Sequence, residues 1–266
     1  PWYRASTLII LMAAASYAAA SDSVEVDRLL AQADAVRTSD TTKFIQLLGK
    51  LDGLKVTASS HQKLKIDYLR AYETALYKDD FASGIAQAKA VYEKTADPDL
   101  KFRAGNLVAN LSAIKRDFST GLHYLESTLL FRSKVKDKNA RYDATTTAAI
   151  FYNEMGQPKR ALRFANEVLQ AGASARLKCF ASSARLKAEY DLKMVTQSDR
   201  HYEQGIDICL KSKETMATVL LHAVQARKWA DEGRRDDAVD LLTGALPQVS
   251  ATKYPRLVAE IRSVLS

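Results

Sequence analysis

Gly156-Gln157-Pro158-Lys159-Arg160-Ala161-Leu162 runs as a short polar turn, a small residue and a branched aliphatic. The same order recurs in Asp79-Asp80-Phe81-Ala82-Ser83-Gly84-Ile85, Arg116-Asp117-Phe118-Ser119-Thr120-Gly121-Leu122, Arg200-His201-Tyr202-Glu203-Gln204-Gly205-Ile206 and Gly233-Arg234-Arg235-Asp236-Asp237-Ala238-Val239. The small residues stand at 84, 121, 161, 205 and 238, at intervals of 37, 40, 44 and 33 residues. Such a period marks stacked helix hairpins. A hairpin needs a tight turn, then a position where two helices approach so closely that only Gly or Ala fits, then an apolar residue to fill the seam. Phe81, Phe118 and Tyr202, three residues before the small one, are placed to plug three of the hairpins.

Composition points the same way. Only 10 Gly and 5 Pro in 266 residues, with 47% apolar residues and few alternating runs, describe an almost wholly helical chain. Apolar residues recur at helical spacing, as in Tyr68, Ala71, Tyr72 and Ala75, or Leu107, Leu111 and Ile114. The expected fold class is therefore all-α, an α-solenoid of helix hairpins in one elongated domain, because stacked hairpins escape the size limit of a single core.

The first twenty residues differ. Arg4 precedes an uncharged stretch from Leu8 to Ala15, and Ala18-Ala19-Ala20 stands before Ser21-Asp22. This fits a signal peptide over residues 1–20, cleaved after Ala20, with the solenoid over 21–266 exported to the periplasm. An uncleaved membrane anchor is the rival, although the run falls short of the ~20 apolar residues that a span requires. In an oxidising compartment Cys179 and Cys209, on the two sides of the fourth unit's turn, are expected to form a disulfide; two buried thiols are the alternative. His61, His123, His201 and His222 are scattered without ligand spacing, so neither a metal nor a cofactor is expected.

The net charge is +8, or +7 with Arg4 set aside. The basic residues alternate with acids, as in Lys134-Val135-Lys136-Asp137-Lys138, which is the pattern of a solvated helix face rather than of a nucleic-acid track. No Ser, His and acid grouping, metal spacing or carboxylate pair suggests catalysis, so the chain is not expected to be an enzyme.

The unit resembles the tetratricopeptide repeat, with Gly156 to Leu162 the nearest local match; the consensus Trp of the first helix is absent and the 40 and 44 intervals imply longer turns or helices. Four further stretches, Arg37-Thr38-Ser39-Asp40-Thr41-Thr42-Lys43-Phe44, Asp97 to Asn106, Tyr152 to Gln157 and Tyr254 to Ile261, resemble the periplasmic sensory region of bacterial GGDEF diguanylate cyclases. That resemblance implies a parent protein with a transmembrane helix and a cytoplasmic domain making cyclic di-GMP. No GGDEF motif occurs in these residues. Leu257, Ile261, Val264 and Leu265 form an apolar stripe that reads as the first helix of a sixth hairpin, which implies truncation at the C-terminus; a lone capping helix is the other reading.

Ligands of such arrays lie on the concave face formed by the first helices. Arg103, Asn106 and Asn110, then Asp143, Thr146 and Asn153, then Arg227 are the expected concave-face residues, able to hold a peptide, a protein partner or a small ligand, or else simply to face water. The expected function is a sensory or partner-binding array, compatible with a homodimer, regulating a membrane-bound diguanylate cyclase. A free periplasmic adaptor for envelope or secretion complexes is the alternative. No nucleic-acid partner is expected, and membrane contact only through a C-terminal anchor beyond these residues.

Overall fold

A computed structural model describes residues 22–265, except for the side chains at 195–197, 260 and 264–265. The proposed signal segment lies outside the described residues. Thirteen α-helices and no strand are present among the described residues. Helix α1 covers residues 22–36, followed by α2 (Thr41–Gly53), α3 (Ser60–Leu76), α4 (Phe81–Lys94), α5 (Pro98–Ile114), α6 (Phe118–Phe131) and α7 (Lys138–Glu154). Then come α8 (Pro158–Gln170), α9 (Ala175–Asp191), α10 (Val195–Ser212), α11 (Thr215–Asp231), α12 (Arg235–Thr252) and α13 (Pro255–Leu265). Residues Arg132–Lys134 form a short 3-10 turn before α7.

Local chemistry sets the helix starts. Asp40, Asp80, Asp97, Asp117, Asp137 and Ser174 each accept a hydrogen bond from a backbone N–H of the first turn. Ser59 and Gln62 close a reciprocal capping box on α3. Pro98 and Pro158 stand where the missing N–H costs nothing.

The hairpin turns share one device. Asp79, Arg116, Gly156, Lys193 and Gly233 all take a left-handed backbone, with φ of 58°, 61°, 69°, 57° and 82°. After four of them, the next N–H reaches back across the helix end, from Asp117 to the Ser112 carbonyl, Gln157 to Tyr152, Met194 to Glu189 and Arg234 to Trp229, at 2.8–2.9 Å. This is the Schellman closure, which satisfies carbonyls that the helix leaves bare. Counted by these left-handed residues, the repeat intervals are 37, 40, 37 and 40 residues.

That regularity corrects the reading of the fourth unit. Residues 200–206 are not a turn but lie within α10. Helices α4, α6, α8 and α12 begin three residues before their small residue, whereas α10 begins ten residues before Gly205. The extra seven residues are about two helical turns; Ser198, buried and five residues after Lys193, stands where Gly84, Gly121, Ala161 and Ala238 stand after their own left-handed residues, so the 44-residue interval comes from reading the small residue two turns too far along α10.

The small residues stand where helices touch. Gly84, Gly121, Ala161, Gly205 and Ala238 are all buried, and a Cβ on Gly84 would fall 2.6 Å from Ala75 Cβ on α3. Each hairpin packs against the next, with α5 on α7, α7 on α9 and α9 on α11 as the inner layer. Helix α13 packs on α11 and α12, burying Leu257 and Ile261. The described part of the last apolar stripe is therefore covered by the preceding hairpin; Val264 and Leu265 lie outside the described side chains.

The ends of the array meet. Val26, Leu29, Phe44 and Leu48 belong to one continuous core with Val219, Leu242, Leu257 and Ile261. Thr41 Oγ1 donates to the Thr252 carbonyl at 2.7 Å, and Thr215 Oγ1 to the Ser39 carbonyl at 3.3 Å. Sequence separations of 211 and 176 residues are thus bridged directly.

Candidate functional site

The α1–α2 corner, Arg37 to Asp40, crosses the concave face. Tyr77 Oη, at the C-cap of α3, donates to the Arg37 carbonyl, and Arg176 Nε of α9 lies 3.2 Å from Thr38 Oγ1. The Arg37 guanidinium lies 5.5 Å from the centre of the Tyr72 ring and 4.0 Å from Asp143 Oδ2 on α7. Beneath this bridge α3, α5, α7, α9, α11 and α13 line an axial chamber of about 170 Å³.

Charge at the upper end is concentrated on a few groups. Asp34 pairs with both Arg37 and Arg103. Burial alone would raise its carboxyl, but Arg37 and Arg103 outweigh burial and hold it well below the usual carboxylate range. Glu214 at the start of α11 shows the opposite balance. Its side chain is 2% exposed, and burial pushes its carboxyl above the usual value even though Arg176 Nε stands 3.4 Å away.

The sequence-derived residues divide among three places. Arg103 is above the chamber, paired with Asp34 at 2.5 Å and stacked over Tyr68. Asn106, Asn110, Asp143 and Thr146 line the chamber itself. Asn106 Nδ2 donates to Asp143 Oδ2 at 3.2 Å, while Thr146 Oγ1 returns to the Tyr142 carbonyl of its own helix at 2.8 Å. Asn153 and Arg227 border a depression below, with Arg116, Lys187 and Arg256. There Asn153 Nδ2 donates to the Ala184 carbonyl at 2.8 Å, tying α7 to α9.

Arg256 and Glu154 belong to both the chamber and the lower depression, 3.9 Å apart. The lower opening is therefore basic, with Arg116, Lys187, Arg227 and Arg256 against Glu154. Asp143 and Glu154 mark the two ends of the chamber on α7; eleven helical residues span about 16 Å. Between them the wall is largely apolar, with Leu107, Ile150, Phe180 and Leu220.

Sequence reasoning missed Arg37, Arg176 and Arg256. The first belongs to an unassigned turn, and the other two read as ordinary surface cations. Two of the stretches that carry the resemblance contain such residues, Arg37 to Phe44 and Tyr254 to Ile261, but the resemblance says nothing of where they lie in the fold.

Cys179 and Cys209 are joined by a disulfide, with Cα atoms 4.9 Å apart, fastening α9 to α10 one residue before the chamber-lining Phe180. Three histidines have other partners, His61 with Asp97, His201 with Glu189 and His222 with Tyr202. Among the described residues no group of three or more His, Cys, Asp or Glu could hold a metal, and no helix is long and apolar enough to cross a membrane.

These features define an all-α solenoid of tetratricopeptide-like hairpins. No protein-family model matches the chain, and no curated protein matches it. Among solved structures, a Rap protein complexed with competence and sporulation factor superposes with a TM-score of 0.66 at 15% identity, over 82% of this chain. The likeness is one of fold, and the chain spans 62% of that protein's chain.

Proposed function

We propose that this solenoid is a recognition module whose axial chamber takes up a ligand and relays its presence through the seam that joins the array's ends. The observation that carries this reading is the chamber lining. The walls combine apolar side chains with Asn106, Asn110, Asp143 and Arg176, and the corner and α13 both contribute to them. An occupant therefore touches the first and last hairpins at once, so binding favours one curvature of the array over another. The fold neighbour, solved with competence and sporulation factor bound, supports a binding role for this architecture.

The finer reading is an exported sensor that regulates a membrane-bound diguanylate cyclase in the same polypeptide. It rests on the four stretches that resemble such sensors, on the signal-like residues 1–20 and on the Cys179–Cys209 bridge, which suits an oxidising compartment. A photo-crosslinker at Asn110 in cells carrying the complete gene tests both levels. The expected result is a crosslinked small molecule or partner, with cyclic di-GMP levels altered when Asn110 is replaced by Trp. Crosslinking without any cyclic di-GMP response would retain the recognition module and remove the cyclase. A clean Asn110 position under all growth conditions would remove the recognition reading.

A further inference from the structure

Two polar atoms in the chamber walls are buried and without a hydrogen-bond partner. They are Arg37 Nε, a donor, and Asn106 Oδ1, an acceptor, on side chains that line the same upper end. Both residues are 4% exposed. A buried polar atom left unpaired is costly, and folds rarely keep two in one place without a use for them. An occupant that satisfies both must accept from Arg37 and donate to Asn106.

The surrounding charges narrow the chemistry. Arg37, paired with Asp34, and Arg176, 3.4 Å from Glu214, line the chamber together with the Asp143 carboxylate, which already accepts from Asn106 Nδ2. The Arg37–Asp143 separation of 4.0 Å makes them a loose ion pair, too long for a direct hydrogen bond. A phosphate would meet Arg37 but would place more negative charge against Asp143. An amine alone would leave Arg37 Nε unmet. A carboxylate and an ammonium on neighbouring atoms answer both sides. Below them Leu107, Ile150, Phe180 and Leu220 offer an apolar wall. Because the α1–α2 corner crosses the concave face, no uninterrupted groove for an extended chain runs along the inner helices.

We infer that the upper end of the chamber binds the head group of a free α-amino acid, with its apolar side chain lying against the wall below. The carboxylate accepts from Arg37 and Arg176, and the ammonium donates to Asn106 Oδ1 and faces Asp143. This deepens the recognition reading above and rests on it.

The test is titration calorimetry on the whole chain with L-leucine and L-phenylalanine, alongside N-acetyl-L-leucine, L-leucinamide and tetra-alanine. Free amino acids are expected to bind, and blocking either end of the molecule is expected to weaken binding about tenfold or more, as loss of a charge-assisted contact does. Asn106→Leu should abolish binding; because that site is buried, Ile150→Trp, which fills the chamber from a partly exposed position, gives a second variant, each checked for native helix content. No heat from free amino acids at about 10 mM, where any useful affinity registers, means that water alone fills the chamber and overturns the inference. Equal binding of blocked and free forms overturns it as well. Binding of tetra-alanine with free amino acids inert would overturn it too while leaving the recognition module standing; silence from every probe together with a clean Asn110 crosslink would take down both.

Discussion

Lys193 does in the fourth turn what Gly156 and Gly233 do in the third and fifth, holding a left-handed backbone with φ of 57°. A Cβ makes that conformation unfavourable by roughly 1–2 kcal/mol, and Lys193 is exposed, with its ammonium 5.0 Å from the Tyr190 ring centre. Lys193→Gly removes the strain but adds freedom to the unfolded chain, so a net gain of about 0.5–1 kcal/mol is expected. Urea denaturation decides it, and an unchanged midpoint would mean that the Tyr190 contact offsets the strain. Asp34 shows the reverse economy of a single residue, one carboxylate serving Arg37 and Arg103 together. Replacing it by Asn is expected to cost about 1.5–3 kcal/mol at neutral pH, the range for hydrogen bonds to charged groups. Its folded pKa is depressed, so the stability it contributes is complete above the unfolded value of about 3.9 and is lost as pH falls below it. The Asp34→Asn variant should therefore show a shallower loss of stability between about pH 5 and pH 2; parallel acid limbs for both proteins would contradict the assignment.

At the scale of elements, the α9–α10 pair is the one hairpin that is covalently fastened, Cys179 and Cys209 being 30 positions apart in the sequence. Closing a loop of that size stabilises by about 3–4 kcal/mol in the chain-entropy account. A reducing agent should lower the melting temperature by several degrees, and the Cys179→Ala, Cys209→Ala double variant should match the reduced protein and no longer respond to reductant. The helices and four of the five turns were legible in the sequence because their causes are local: capping residues, small residues and helical spacing lie within a few positions of one another. The start of α10 was not. Arg200, Glu203 and Gln204 are exposed on a helix face, and an exposed polar face has the composition of a turn. The left-handed residue that ends α9 is a Lys where two other units use Gly, so the usual punctuation was missing.

For the whole molecule, the closing of the array distinguishes it from the open solenoid that the repeats imply. Chamber residues on α5 and α7 could be read from periodicity, since Asn106, Asn110, Asp143 and Thr146 follow helical spacing on inner helices. The corner could not. An Arg and an Asp three residues apart, as Arg37 and Asp34 are, look like an ordinary surface pair on α1, and only contacts across 138 to 211 residues reveal that they sit on the axis. An open repeat array unravels from its ends, each terminal unit being held by one neighbour. Here the terminal units hold each other through Thr41 and Thr252 and a shared core, so the usual fraying has nowhere to begin. Amide hydrogens where the first and last helices meet should then exchange as slowly as those of the middle hairpins, and the chain behaves less like a spring with two loose ends than like a clasped bracelet, all of whose links open together once the clasp gives way.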